Sequence, residues 1–369
     1  MINFNAKRLK ILKIIETDVK KGIMELLIET TEDLWVLYNV VRKGDTVYAL
    51  TTREVKPGEG GSSRRIPMVL GIRVENVEFQ EFTDKLRIRG VIIQGPEEFG
   101  VQGKYHTVSI GIGDKITIIK EEWSSFDLEF ITRYSSKRRK ILVVSMDYEE
   151  ACVAILAEQG IKYIEETSSN MPSKNYAMDY PQIMESYLNK LVETIIRVVN
   201  NEKPDALVIA SIGDLKNIVK RKLEDHVEIP IYVDTVSTGG CKGVEEVTRR
   251  DIVKKISNEL SIVKANRIFD EFKALLIKDP DLVAYGVEDV HYAVNIGAVE
   301  KLLIIDEYLR LSNYVERIKV YEILNKAHET RAEIIIVPRK SNIYYELASF
   351  GGVIAILRYK LERSLIESS

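Results

Sequence analysis

Four basic side chains lie close together in a segment that we predict to be the tip of a β-hairpin: Arg53, Lys56, Arg64 and Arg65. A guanidinium donates two hydrogen bonds from one planar fork, so arginines on an exposed loop suit phosphate oxygens. The same segment contains the acids Glu54 and Glu59, and nothing apolar between Pro57 and Arg65 would hold it against a core. These residues predict an RNA-binding loop. The alternative is a solvated hairpin whose arginines bind nothing.

Three carboxylates follow a predicted buried strand: Asp147, Glu149 and Glu150. Paired carboxylates at the end of a strand can hold Mg²⁺ for phosphodiester cleavage. The competing interpretation, which we favour, is a charged strand end that enters a loop. A divalent-metal-dependent endoribonuclease is therefore the alternative function, and a divalent cation is its only implied cofactor. The sequence does not specify a metal site.

Other catalytic chemistry has no signature in the sequence, which contains neither an HExxH nor a G-x-S-x-G motif. The four histidines are scattered: His106, His226, His291 and His328. The two cysteines, Cys152 and Cys241, lack CxxC spacing, so we expect neither a zinc site nor a disulfide and assign both to the core. Apart from the three carboxylates above, these features offer no catalytic site, and none of them requires a cofactor.

A glycine-rich turn at Gly239-Gly240-Cys241-Lys242-Gly243 precedes a predicted helix. Free N–H groups at such a turn can bind phosphate. The spacing matches neither the P-loop nor the dinucleotide-binding motif, so we expect a structural role.

Composition predicts a globular protein of two or three domains, with 369 residues, 45% hydrophobic and 30% charged. No apolar run reaches the roughly 18 residues that span a membrane, and the first residues lack the apolar core of a signal peptide. We therefore expect a cytoplasmic monomer. The net charge of −3 means that any RNA contact must come from local basic patches.

The first part of the chain is rich in predicted strands, at Gly22–Glu29, Thr46–Arg53, Ile66–Phe82, Lys85–Ile93 and Lys115–Lys120. A turn at Thr83-Asp84 joins two of them into a hairpin. Many short strands with turn signals predict a small β-barrel. His106 lies in a further strand, where we expect packing or a single hydrogen bond. The basic run Arg133–Lys140 is interpreted as a linker, and RNA backbone contact is its alternative.

The central part predicts a meander followed by alternating helices and strands, which indicates a mixed α/β sheet of the ribonuclease-H-like kind. The predicted strands are 141–147, 151–156, 161–165, 206–210 and 231–234, with helices at 180–200 and 215–223. A long helix from Val247 to about Lys278 is expected to lead out of this domain.

The last hundred residues alternate regularly and predict an α-β-α sandwich. The helices are expected at 287–295, 314–330 and 344–350, and the strands at 300–306, 333–337 and 353–359. The predicted domains are thus 1–130, 131–262 and 263–369, a multidomain α+β and α/β protein.

Several short motifs occur in one order along the chain. They are Asp33-Leu34-Trp35-x-Leu37-Tyr38-Asn39, Gly44-Asp45-x-Val47, Leu86-Arg87-Ile88-x-Gly90, Tyr105-His106-Thr107, Tyr285-Gly286-x-x-x-Val290 and Ala355-Ile356-Leu357-Arg358-Tyr359. Together they resemble the Pelota family in its archaeal form, a relative of the class-1 translation release factors. The resemblance implies an Sm-like barrel, a ribonuclease-H-like central domain and a release-factor-type third domain.

The resemblance also implies a function: rescue of stalled ribosomes from the A site, subunit dissociation and mRNA surveillance by no-go decay. Its implied partners are the ribosome with stalled mRNA, an elongation-factor-1α-like translational GTPase and a recycling ATPase. The implied GTPase contacts are Lys174, Tyr285, Gly286 and Val290. A general RNA-binding module is a further alternative.

Release factors hydrolyse peptidyl-tRNA with a Gly-Gly-Gln motif, which this chain lacks. Its Gly-Gly pairs are followed by Ser62, Cys241 and Val353. The chain also departs from the family pattern at residues 167–175, which contain one cation, and at Ser211-Ile212-Gly213-Asp214, where relatives often have Ser-Pro-Gly-Phe. Because the Gly-Gly-Gln motif is missing, we expect no peptide release; the two departures concern the implied contact with the GTPase.

Overall fold

The computed structural model describes residues 12–55, 64–134, 140–169, 180–256, 260–310 and 314–361. The chain divides into two compact units. The first comprises Met1–Lys137, Val294–Gly297 and Asp306–Glu333, and the second Arg138–Ala293, Ala298–Ile305 and Ile334–Ser369. Within the described ranges, no helix is long and apolar enough to cross a membrane.

The strands are β1 (Lys13–Asp18), β2 (Ile23–Leu27), β3 (Thr46–Val55), β4 (Arg64–Phe79), β5 (Lys85–Gln94), β6 (Tyr105–Gly111), β7 (Lys115–Ile119), β8 (Ile141–Met146), β9 (Glu150–Ala157), β10 (Gly160–Ser168), β11 (Ala206–Ser211), β12 (Ile231–Thr235), β13 (Val283–Tyr285), β14 (Val299–Ile305), β15 (Glu333–Val337) and β16 (Val353–Leu357). The helices are α1 (Thr31–Val40), α2 (Ser125–Tyr134), α3 (Tyr180–Glu202), α4 (Leu215–Leu223), α5 (Gly240–Arg249), α6 (Asp251–Ile256), α7 (Ser261–Lys278), α8 (Val287–Asn295), α9 (Tyr314–Glu329) and α10 (Tyr344–Ser349). Short 3₁₀ segments occupy Val19–Lys21, Glu97–Phe99, Pro280–Leu282 and Asp306–Arg310.

The first unit contains one antiparallel sheet with the order β1-β2-β7-β3-β4-β5-β6. It confirms the predicted strands and the hairpin at Thr83-Asp84, which joins β4 to β5. Among the described residues the pairing starts at β1 and ends at β6. Strand β3 also lies beside β6: Thr51 Oγ1 in β3 is 3.0 Å from His106 Nε2 in β6. The expected barrel is therefore seen as a sheet that curls back on itself.

Helix α1 was not predicted from the sequence, although its start signal is present. The Thr30 hydroxyl accepts a hydrogen bond from the Asp33 N–H, and the Asp33 carboxylate accepts one from the Thr30 N–H, which forms a capping box. Leu34, Trp35 and Leu37 have no solvent exposure. The helix thus contributes the centre of the first unit's core.

The second unit contains a five-stranded sheet with the order β10-β9-β8-β11-β12. Strand β9 is antiparallel to β8 and β10, whereas β11 is parallel to both β8 and β12. Strands β8 and β11 are buried along their whole length, as expected for a sheet covered on both faces. The predicted ribonuclease-H-like mixed sheet is confirmed.

The predicted single helix from Val247 to Lys278 is wrong. The chain forms α5, α6 and α7 instead, with an extended backbone at Arg250 (φ −79°, ψ 151°) between the first two. The Arg250 guanidinium donates to both carboxylate oxygens of Asp234, at 3.1 and 3.2 Å. Because this contact joins α5 to the end of β12, the break depends on tertiary structure. Residues 257–259 lie outside the described part.

The third sheet has the order β13-β16-β14-β15. Helices α7 and α10 pack against β14 and β16. The predicted helices and strands of this region are confirmed to within a few residues of their expected bounds.

The two cysteines were expected to be unpaired, and that prediction is wrong. Cys152 in β9 and Cys241 in α5 form a disulfide with a Cα–Cα distance of 5.1 Å and 89 residues of sequence separation. Spacing along the sequence carried no sign of this pairing, because it depends on the packing of α5 against β9.

We expect Cys241→Ser to lower the free energy of unfolding of the second unit by about 2 to 4 kcal/mol under non-reducing conditions. The bond closes a long loop, so its loss increases the entropy of the unfolded chain. Calorimetry with and without dithiothreitol measures the effect. The wild type should respond to the reductant and the variant should not; equal responses would contradict a stabilising role.

Candidate nucleic-acid interface

The predicted basic hairpin is an arm that extends beyond the rest of the first sheet. Strand β3 pairs with β4 along the whole length of β3, from Thr46 opposite Arg73 to Val55 opposite Arg64. Strand β7 pairs with β3 only over Thr46–Ala49, and β5 pairs with β4 only from Gly71 onwards. Residues 50–55 and 64–70 therefore form a two-stranded ribbon, which we call the hairpin arm.

One side of the hairpin arm is held by the start of β6. Thr51 Oγ1 lies 3.0 Å from His106 Nε2, and Arg53 Nη1 donates to the Tyr105 carbonyl at 3.1 Å. Partial burial, together with the nearby Arg53 charge, lowers the pKa of His106 below its ordinary value. The contact with Thr51 is the hydrogen bond that was expected of His106.

The predicted phosphate-binding residues lie along the hairpin arm. Arg64 and Arg65 are exposed, and Arg53 is half-buried beside β6. Glu54 lies opposite Arg65 in the strand register. Lys56 and the tip at 57–63 fall outside the described residues, as do residues 135–139 of the basic run. The structure thus presents two guanidiniums to solvent at the far end of the hairpin arm.

The three candidate nuclease carboxylates are placed at the β8–β9 turn. Asp147 Oδ1 accepts hydrogen bonds from the N–H groups of Glu149 and Glu150, at 2.8 and 2.9 Å. Its Oδ2 accepts one from the Gly239 N–H at 3.1 Å. Among the described residues, no group of three or more His, Cys, Asp or Glu side chains could hold a metal ion. The geometry supports a structural use of Asp147.

The glycine-rich turn before α5 fits closely around this carboxylate. A Cβ at Gly239 would lie 2.4 Å from Asp147 Oδ2, and one at Gly240, where φ is +61°, would lie 2.2 Å from Glu150 Oε1. A Cβ at Gly243 would lie 2.0 Å from Ser145 Oγ. Since each glycine makes room for a side chain of β8, of β9 or of the turn between them, the expected structural role of the glycine-rich turn is supported.

We expect Gly239→Ala to destabilise the second unit by about 1 to 3 kcal/mol, because the added methyl overlaps the Asp147 carboxylate. Gly213→Ala is the matched control. Its Cβ would meet only the Tyr148 hydroxyl, at 3.6 Å, so the change should stay within about 0.5 kcal/mol. Calorimetric unfolding of both variants tests the difference. Equal melting temperatures would show that the turn tolerates a side chain.

Three of the implied GTPase-contact residues lie in the second unit, at the end of β13 and in α8. The Tyr285 ring packs edge-on against Phe272 and Phe350, and 38% of the residue is exposed. Gly286 has a φ of +80°, which favours glycine, and its N–H donates to the Val353 carbonyl. Val290 has no exposure, so it can act only by supporting its neighbours. Lys174 is outside the described residues.

A buried charge network in the first unit was missed by the sequence analysis. Arg42 forms a bidentate pair with Asp127, at 2.6 Å for the Nη1–Oδ2 contact, and its guanidinium lies 4.2 Å from the centre of the Tyr321 ring. Lys120 Nζ lies 2.5 Å from Asp45 Oδ2. The partners are 85 and 75 residues apart in the chain, so no local pattern identifies them.

Burial affects the pKa values of the two cations of this network in different ways. It lowers the pKa of Lys120, and the nearby Arg42 charge lowers it further. Burial would also lower the pKa of Arg42, but the Asp127 carboxylate outweighs it, so the pKa of Arg42 is raised. The Arg42 guanidinium is therefore held in its charged form by its contact with Asp127.

Comparison with known families matches both ends of the chain. Residues 9–135 match the Pelota N-terminal domain, and residues 262–361 match eRF1 domain 3. The pelota homolog of Desulfurococcus amylolyticus is 51% identical over 352 residues, covering 95% of this chain and 99% of the relative. That of Staphylothermus marinus is 46% identical over 354 residues, covering 96% and 99%.

Two solved structures share the fold. The Thermoplasma acidophilum Pelota protein aligns with a TM-score of 0.72 at 22% identity, and the alignment covers 95% of this chain and 100% of that protein. S. cerevisiae Dom34 aligns with a TM-score of 0.50 at 20% identity, covering 95% and 98%. Dom34 is described as a translation termination-like factor that is involved in RNA quality control pathways and interacts with Hbs1.

Proposed function

Because the chain belongs to the Pelota family, as its 51% identity over 352 residues to a pelota homolog shows, we propose that it is a ribosome-rescue factor. It enters the A site of a stalled ribosome, promotes separation of the subunits and takes part in mRNA surveillance. Near full-length similarity to the relatives is the observation that carries this proposal.

The hairpin arm supports a decoding-site role for the first domain. A two-stranded ribbon that is paired beyond its neighbours reaches into a groove that the wider sheet cannot enter. Its exposed Arg64 and Arg65 suit RNA phosphates, and Lys56 belongs to the same basic segment. The arm therefore probes the message channel of the ribosome.

The remaining domains take the place of a tRNA and work with nucleotide-hydrolysing partners. A translational GTPase binds through the region of Tyr285, Gly286 and Val290, with Lys174 in the central domain as a further contact. The interaction of Dom34 with Hbs1 supports such a pairing. A recycling ATPase then drives subunit dissociation, and the three modules correspond to residues 1–130, 131–262 and 263–369.

The chain itself is a non-catalytic adaptor in this proposal. It lacks the Gly-Gly-Gln motif with which release factors hydrolyse peptidyl-tRNA, and the partners' nucleotides supply the energy. The adaptor works as a cytoplasmic monomer without a cofactor.

Co-sedimentation with ribosomes tests the proposal. Ribosomes stalled on truncated mRNA should bind the protein more tightly than ribosomes with mRNA filling the A site, and the GTPase with GTP should increase the bound fraction. Free RNA is the comparison that identifies a general RNA-binding module. Equal affinity for free RNA and for stalled ribosomes would reject the rescue function.

A further inference from the structure

An exposed tyrosine lies among arginines on the outer face of β4, β5 and β6. Tyr105 at the start of β6 is 60% exposed. It is paired with Val91 of β5, which is paired with Arg73 of β4. Directly opposed residues share one face of a sheet, so these three side chains form a row. Arg89 lies two residues before Val91 and belongs to the same face.

The Arg89 side chain is positioned by the tyrosine ring. Its guanidinium carbon lies 5.4 Å from the centre of the Tyr105 ring, within the range of a cation–π contact. The ring nonetheless keeps most of its surface in solvent. An aromatic ring beside a guanidinium is the arrangement on which proteins stack unpaired nucleobases.

The charge of this face suits a polyanion. Strands β5 and β6 contain Lys85, Arg87 and Arg89 and no carboxylate. On β4, Glu78 lies opposite Arg87 and accepts a hydrogen bond from Asn76 at 3.0 Å. Glu75, at the bulge between Val74 and Asn76, forms an ion pair with Lys43 at 3.0 Å. The segment between β5 and β6 contains Glu97, Glu98 and Lys104. Positive charge therefore predominates around Tyr105.

The same face continues toward the hairpin arm as an apolar surface. The Tyr48 ring lies across Gly71, where a Cβ would be 2.5 Å from a ring carbon, and its hydroxyl donates to Gln94 at 2.6 Å. Beyond it, Leu50 and Val69 are paired across the strands and are 66% and 57% exposed. Apolar side chains such as these can pack against the faces of bases, but they have neither a hydrogen-bond donor nor a positive charge with which to bind a phosphate.

We propose that this face binds an unpaired RNA segment, with one base stacked on Tyr105 and the flanking phosphates on Arg73 and Arg89. A duplex hides its base faces in its own stack, so the surface selects unpaired RNA. The site is distinct from the hairpin-arm cations, and it extends the proposed function by adding a second RNA contact on the first domain.

The test uses the full chain and a short fluorescein-labelled oligouridine, with affinity measured by fluorescence anisotropy. We expect Tyr105→Ala to weaken binding about five- to 150-fold, the equivalent of roughly 1 to 3 kcal/mol for one stacked base. Tyr105→Phe keeps the ring and should bind as the wild type does. Tyr345→Ala is the matched control, because Tyr345 is a 71% exposed tyrosine of the third domain and its loss should change nothing.

Salt dependence and a duplex probe complete the experiment. Arg89→Ala should reduce the slope of log affinity against log salt by about 0.7, the value for one phosphate contact on a single strand. Wild-type affinity for a duplex of the same length should be lower than for oligouridine. Unchanged oligouridine binding by Tyr105→Ala, or tighter binding of the duplex, overturns the proposal.

The variant Arg64→Ala/Arg65→Ala separates this inference from the ribosome-rescue function. This variant should bind oligouridine as the wild type does, through Tyr105, but its affinity for stalled ribosomes should be lost. If oligouridine binding depends on Arg64 and Arg65 but not on Tyr105, the stacking site is refuted and the rescue function is not. If oligouridine binding depends on Tyr105 but the protein binds stalled ribosomes no more tightly than free RNA, the stacking site is supported and the rescue function is rejected.

Discussion

Replacing Arg53, Arg64 and Arg65 with alanine is expected to lower the affinity for ribosomes stalled on truncated mRNA by about a thousand-fold. A hydrogen bond to a charged group contributes about 1.5 kcal/mol at the low end of its range. Three such contacts give roughly 4.5 kcal/mol, and each 1.4 kcal/mol is tenfold in affinity. Co-sedimentation at increasing ribosome concentration measures the loss.

The salt dependence of binding gives a second measurement of the same contacts. Each phosphate that the protein neutralises contributes about 0.7 to 0.9 to the slope of log affinity against log salt. The triple variant should therefore reduce that slope by about two to three. A loss of affinity without a change in slope would mean that the arginines act through the shape of the hairpin arm and do not contact phosphate.

A control variant with the same change in charge is available within the first domain. Lys13, Lys20 and Lys115 are exposed and lie outside the hairpin arm, so their replacement with alanine should leave ribosome binding nearly unchanged. The double variant Arg64→Ala/Arg65→Ala removes only the exposed cations, since Arg53 also donates to the Tyr105 carbonyl. Equal binding by the wild type and the triple variant would refute the role of the arm.

Asp127→Ala is expected to lower the free energy of unfolding of the first unit by about 3 to 5 kcal/mol. Asp127 has no exposure, and it is the bidentate partner of Arg42, whose side chain is 13% exposed. Removing the carboxylate leaves a buried guanidinium without its counter-charge, which costs far more than the pair contributes when intact. The effect belongs to folding and not to ribosome contact.

Tryptophan fluorescence reports on this unit alone. The chain has two tryptophans, Trp35 and Trp123, and both are buried in the first unit. The Trp35 ring lies 5.6 Å from that of Phe130 in α2, the helix that contains Asp127. Urea unfolding followed by fluorescence therefore measures the stability around Asp127 without a contribution from the second unit.

Two further variants distinguish a buried charge effect from simple loss of contacts. Arg42→Met/Asp127→Leu removes both charges and should recover most of the stability, because an apolar pair can replace a buried ion pair at little cost. Glu75→Ala breaks an exposed pair with Lys43, at 3.0 Å and with side chains 37% and 54% exposed, and should cost less than about 1 kcal/mol. If Asp127→Ala costs no more than Glu75→Ala, the network is not a stability determinant.

The periodic spacing of apolar residues along the chain predicted most of the strands and helices. It could do so because the buried face of each element repeats every two to four residues. The alternation in Thr46–Val55 and the continuous apolar run of Ile141–Met146 each correspond to a strand. Helix α1 has a capping signal at Thr30 that the sequence analysis did not use. The end of α5 has no such signal, because Arg250 is held by Asp234 from another strand.

The sequence by itself determined the family, the basic hairpin with Arg53, Arg64 and Arg65, and the succession of a strand-rich part followed by parts in which helices and strands alternate. These features depend on residue types and on local spacing, which the chain displays directly. Only the tertiary structure decided that Cys152 bonds Cys241, that Asp127 neutralises Arg42 and that Arg89 lies beside Tyr105. The two residues of each pair lie on different strands or helices, so their distance in space depends on how these elements pack. The spacing of the residues along the sequence does not specify that distance.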